Sequence, residues 1–96
     1  MRTIAARAED HAVHMADIDW GIIVSGEGAC GFLDCEHEVG PGSLGLVLPG
    51  IPHWFRNISG TPLTMVGGYL GVGSLDEAGC EFVSPLTDAM RQVPHR

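Results

Sequence analysis

Fourteen glycines and six prolines are spread through this 96-residue chain, and no apolar run between them is long. Glycine weakens a helix through backbone entropy, and proline breaks one by losing a donor and clashing with the preceding turn. The pieces they leave are rich in Val, Ile, Phe and Trp, which pack well on a pleated surface. Strands are predicted over 11–15, 18–25, 28–34, 36–40, 44–48, 53–58, 62–72 and 79–83. Reversals are predicted at Gly26-Glu27-Gly28, Asp34-Cys35-Glu36, Gly40-Pro41-Gly42 and Leu48-Pro49-Gly50. Turn signals spaced roughly 8 to 12 residues apart belong to an antiparallel sandwich or barrel.

One segment breaks the pattern. In the tail, Ser84 suits a helix N-cap, Pro85 the first helical position, and Leu86, Ala89, Met90 and Val93 fall on one helical face, so a short C-terminal helix is predicted. No repeat, linker or low-complexity segment divides the chain, and residues 1–96 are expected to form one domain. A domain of this size buries about 60 to 65% of the surface of its unfolded chain.

Five Lys and Arg against twelve Asp and Glu give a formal charge of −7, which repels nucleic-acid phosphates and anionic lipids. No stretch is apolar enough to span a membrane, and "MRTIAARAED" lacks the pattern of a secretory leader, so a cytoplasmic address is expected. The odd set Cys30, Cys35 and Cys80 fits a reducing compartment, with a Cys30 to Cys35 bridge as the lesser alternative. "GEGACG" satisfies a dinucleotide-type glycine pattern, but "FLDCEHEVGPG" follows it without a helical period. "VSGEG" leads into a strand and makes no nucleophile elbow.

The run "GPGSLGLVLPGIPHWFRN" resembles the second motif of the cupin superfamily, with Gly42, Gly50, His53 and Asn57 in register, Leu48 at the usual proline position and Ser43 where an Asp often stands. Pro49, Gly50 and Pro52 stiffen the turn before His53, and a period of two sends His53, Phe55 and Asn57 to one face and Trp54 and Arg56 to the other. The superfamily's first motif has two histidines one residue apart, then a Glu and a Gly. Counted back from Gly26, the Glu position is Asp19, the second histidine is His14, and the first falls on Ala12, with His11 one place earlier. The chain thus resembles small single-domain cupins with a degenerate first motif over about residues 11–70.

That resemblance implies an all-β double-stranded β-helix, a jelly-roll barrel, with a pocket lined by His14, Asp19, His53 and Phe55. The implied metal set is His11, His14, Asp19 and His53, whose nitrogen and oxygen donors suit Zn, Fe, Mn or Ni. His11 and His14 are three residues apart and point to opposite faces of a regular strand, so a β-bulge between them is needed to bring both inward. Asp19 and His53 are the candidate catalytic residues, and Phe55 and Tyr69 the candidate substrate contacts. His37 reads as a surface histidine. Gly67, Gly68, Gly71 and Gly73 mark either a bend in the barrel wall or a ligand shelf. Trp20, Trp54 and Phe55 are assigned to the core or a subunit interface, and an outward Trp54 beside Ile22 would suit a homodimer. The expected function is a metal-dependent enzyme acting on a small organic molecule, of oxygenase, isomerase, cyclase or lyase type. The alternative is a metal-free, non-catalytic cupin that binds a small ligand or a partner protein.

Overall fold

The computed structural model describes residues 1–10, 12–14, 18–70 and 81–96, with the backbone alone for His14, Tyr69, Leu70 and Glu81. Nine strands are described: β1 (Arg2–Ile4), β2 (Ala12–His14), β3 (Ile18–Ser25), β4 (Gly28–Phe32), β5 (Cys35–Val39), β6 (Leu44–Val47), β7 (His53–Asn57), β8 (Leu63–Leu70) and β9 (Glu81–Ser84). They form two antiparallel sheets, a four-stranded one in the order β1-β8-β3-β6 and a five-stranded one in the order β5-β4-β7-β2-β9. The chain is all-β as expected.

Three of the four expected reversals use glycine where φ is positive: Gly26 at 94°, Gly42 at 87° and Gly50 at 76°. The fourth falls slightly earlier than predicted. It turns on Leu33 and Asp34, with Leu33 itself in the left-handed region at 59°, so β5 begins at Cys35. Strand β1 was not predicted; it runs antiparallel to β8, with Arg2 opposite Met65 and Ile4 opposite Leu63. Of the four glycines singled out in the sequence, Gly71 and Gly73 lie outside the described residues, and Gly67 and Gly68 lie on β8. Gly67 and Gly68 allow a close approach by β3: a Cβ on Gly67 would stand 2.4 Å from the Trp20 carbonyl oxygen, and one on Gly68 would stand 3.3 Å from the Trp20 indole nitrogen.

The predicted C-terminal helix does not form. Ser84 ends β9, paired with Ala12, and residues 88–90 make one turn closed by the Met90 N–H on the Thr87 carbonyl at 3.0 Å. The donors that would have extended a helix are taken elsewhere. The N–H groups of Gln92 and Val93 both donate to Glu36 Oε1 at 2.9 Å, and the Val93 carbonyl accepts from Arg56 Nη2 at 2.6 Å. A buried carboxylate and guanidinium offer charge-assisted bonds, roughly twice as strong as the neutral bonds of a helix.

This capture explains β7, which is buried on both faces. On its outward face, Arg56 forks onto Glu36 and the Trp54 indole N–H donates to Glu36 Oε2 at 2.8 Å, with the tail lying over them. Trp54 is 2% exposed, so it does not form the outward dimer patch considered above. Gly31 makes room for it, since a Cβ there would stand 2.0 Å from the indole ring. Burial works to raise the Glu36 pKa, but bonds from Arg56, Trp54 and the Val93 N–H, with the Arg56 charge, outweigh it and hold the carboxyl down at about 2.

On the inward face, Asn57 is fully buried and its amide donates to the carbonyls of Ile4, Ala5 and Thr61 at 3.1, 3.1 and 2.8 Å, while its Oδ1 accepts from the Ser59 N–H at 3.0 Å. This side chain knots the end of β1 to the β7–β8 loop. Beside it, Ile4, Ile23 and Leu63 form the core, with Val39, Phe55 and Met65 packed against them from both sheets.

Candidate functional site

Above that core, between the sheets, lies a cavity of about 700 Å³. Its walls are largely apolar, and Ile23, Val47, Phe55 and Met65 are among them. The main polar feature is a pair that bridges the sheets: His53 from β7 and Asp19 from β3, with Nε2 and Oδ2 3.0 Å apart. His53 is 9% exposed, and the Asp19 side chain is 30% exposed.

Local chain stiffness places the histidine. Gly50 supplies the positive φ of the turn, Pro52 fixes its own φ immediately before the histidine, and the His53 Nδ1 lies 2.9 Å from the Ile51 carbonyl. A carbonyl oxygen only accepts, so Nδ1 carries a proton. Nε2 then donates to Asp19 when the ring is charged, and carries a lone pair when the ring is neutral. Burial of the ring pulls the His53 pKa down. The Asp19 hydrogen bond, the Ile51 carbonyl and the charges of Asp19 and Asp10 outweigh that pull, so the net shift is upward. Asp10 stands near the cavity as well, its N–H on the Phe55 carbonyl at 2.9 Å and both its oxygens 3.0 Å from Arg2 Nη2.

The other predicted site residues divide as follows. Phe55 lines the cavity. Tyr69 pairs through its backbone with Asp19, next to the dyad in register, and its side chain is not described. His14 lies on β2 opposite Glu81, while Val13 is the residue opposite His53 and lines the cavity. His11 lies outside the described residues. The register of β2 against β9 shifts between Ala12 and Val13, within the interval where the sequence argument needed a bulge.

Two cavity residues carried no role in the sequence reading. Cys30, opposite His37 on β5 and Phe55 on β7, points into the cavity, where burial, then the charges of Asp19 and Glu36, push its thiol up to about 11. It stays protonated at neutral pH and is a poor nucleophile. His37 is exposed, as expected, but stands at the cavity mouth, its ring stacked on Phe32 with centroids 5.3 Å apart. Strict alternation along β4 and β5 was the signal for both: Cys30 and His37 share a face with Phe55.

His53 and Asp19 supply part of a metal site. A bond from Nδ1–H to a carbonyl is how metal-binding histidines fix the tautomer that leaves Nε2 free, and Asp19 adds an oxygen beside it. Those two donors fit half of a site. A transition-metal centre needs three or four protein ligands, and among the described residues no third His, Cys, Asp or Glu joins them.

A cupin-domain family model matches residues 3–69, more than half of the chain. With its two antiparallel sheets and the histidine-bearing turn, the chain belongs to the cupin family. No curated protein matches it. Among solved structures, it is similar to a cupin-like protein of Thermotoga maritima at 15% identity, covering 96% of this chain and 68% of that one with a TM-score of 0.78. It is similar to a Klebsiella pneumoniae protein with a double-stranded β-helix domain at 17% identity, covering 85% and 70% with a TM-score of 0.72. Oxalate oxidase in complex with the substrate analogue glycolate matches at 20% identity over 84% of this chain and 43% of that one, with a TM-score of 0.71. These likenesses carry the fold. The chain spans 58% and 53% of the first two solved structures that resemble it. The family holds enzymes and proteins without catalytic activity alike.

Proposed function

We propose that this cupin acts on a small organic molecule held in the cavity between the sheets, with His53 and Asp19 as its proton-handling pair. The observation that carries this reading is the 3.0 Å bridge between them at the wall of an otherwise apolar cavity. The apolar body of a guest packs on Phe55, Met65 and Val47, and its polar group meets the dyad. His53 Nε2 takes a proton from that group or returns one, and Asp19 stabilises the imidazolium while the Ile51 carbonyl keeps the ring in place. This suits isomerase, cyclase or lyase chemistry on a carbonyl or hydroxyl compound.

The metal-dependent form of the same reading is favoured by the His53 tautomer. A Zn, Fe, Mn or Ni ion would be held by His53 Nε2 and Asp19 with His14 and His11, and would supply a Lewis acid for a substrate oxygen. The test uses protein purified without a histidine tag. It is denatured, and released metals and small molecules are identified by mass spectrometry, for wild type, His53→Ala and Asp19→Ala. A metal or organic molecule present at near one per chain in wild type and lost from both variants supports the site. Equal content in all three overturns it. A released molecule that purified wild type leaves chemically unchanged on prolonged incubation assigns the chain to the non-catalytic binders.

A further inference from the structure

The chain has few cations, and their places decide what charge the cavity accepts. There is no lysine, and the arginines at positions 2, 7, 56, 91 and 96 are all among the described residues. Four of them do not line the cavity. Arg56 is held by Glu36, Arg91 by Glu9 and Asp88, and Arg96 by Glu27 and Glu38, while Arg7 donates to the Arg96 carbonyl at 3.0 Å. Arg2, on β1, is the arginine that lines it.

Arg2 is already matched. Its Nη2 lies 3.0 Å from both oxygens of Asp10, which also lines the cavity and is anchored by its own N–H on the Phe55 carbonyl at 2.9 Å. Asp19 adds a second carboxyl to the same walls, so two acidic groups face one guanidinium. The charge of Asp10 reaches the dyad as well, since it helps to raise the His53 pKa. Elsewhere the lining offers the rings of Trp20, Phe32 and Phe55 and the neutral thiol of Cys30. Met1 and His37, at the mouth, are exposed to solvent. A guest carboxylate or phosphate therefore sheds its water on entry and meets no cation free to replace it, whereas a flat neutral ring loses little and stacks.

We propose that the guest is an uncharged ring compound with a phenol or enol hydroxyl that meets His53 and Asp19, and that Asp10 turns away carboxylated analogues by cancelling the charge of Arg2. This rests on the cavity reading above and narrows its substrate class. Asp10 is then a specificity residue that acts through Arg2 and leaves the reacting atoms to the dyad. The Arg2 and Asp10 side chains are 59% and 40% exposed, and so open an ion pair contributes little to stability. Its removal leaves the fold intact and frees a guanidinium at the cavity, which can fork onto a guest carboxylate.

Two probes that differ by a single carboxylate test this: para-phenylphenol, and the same molecule with a carboxylate on its distal ring. Each is titrated into the purified protein at about pH 8, where an ordinary imidazole is neutral, and binding is followed by NMR through the His53 ring signals. Wild type is expected to bind the uncharged probe at least ~30-fold more tightly than the carboxylated one. In Asp10→Asn the ratio of the two affinities should fall at least ~10-fold, and in Asp10→Asn with Arg2→Gln it should return toward the wild-type value. Equal or tighter binding of the carboxylated probe by wild type overturns the proposal. So does an unchanged ratio in Asp10→Asn, or a ratio that stays low in the double variant. If neither probe moves the His53 signals, the cavity reading falls and this inference with it, whereas a preference for the carboxylated probe sinks this inference alone.

Discussion

His53 and Glu36 are buried ionisable residues whose shifts run in opposite senses, and each sign sets a test. His53 has a raised pKa, so the stability it adds is complete below its unfolded value near 6.5 and is lost as pH rises through the higher folded value. The stability gap between wild type and His53→Asn should therefore narrow from about pH 6 to pH 9, followed by urea unfolding. Glu36 has a lowered pKa, so its contribution is complete above the ordinary value of 4.5 and is lost as pH falls toward 2. Glu36→Gln should cost about 3 kcal/mol at pH 7, because buried Arg56 loses its hydrogen-bonded counter-charge and keeps only Glu9, 3.8 Å away. That deficit should shrink as acid is added. Only one of these two residues was legible in the sequence. His53 stands in a motif with fixed spacing and stiff neighbours, while "DCEHEV" gives no sign that its first Glu faces an arginine twenty residues later.

Among the elements, reversals with a backbone requirement were readable, and elements defined by distant partners were not. Glycines at positions 26, 42 and 50 mark their own turns, but β1 is three residues long and exists because β8 lies beside it. The tail has a helical pattern of apolar residues, yet its backbone bonds to a buried ion pair that no local rule reveals. Val93→Pro, which deletes one of those donors, should lower stability by about 1 to 2 kcal/mol in chemical unfolding and loosen hydrogen exchange in β5 and β7. Gly31→Ala should cost about 2 kcal/mol in the same assay, since the added methyl meets the Trp54 indole and not open space. Double substitution Gly31→Ala with Trp54→Phe should recover part of that loss.

For the molecule as a whole, alternation along β7 was enough to separate two faces, one with His53, Phe55 and Asn57 and the other with Trp54 and Arg56. How the outer face is sealed depends on strand order and on the tail, which period alone does not determine. The cavity's polar end is also a tie between the two layers, since His53 belongs to one sheet and Asp19 to the other. A guest that reaches this tie must exchange one hydrogen bond for another and shift the imidazole's affinity for its proton. Calorimetric binding enthalpies should accordingly differ between phosphate and Tris at pH 7, in proportion to the two buffers' ionisation heats, and the difference should vanish in His53→Asn.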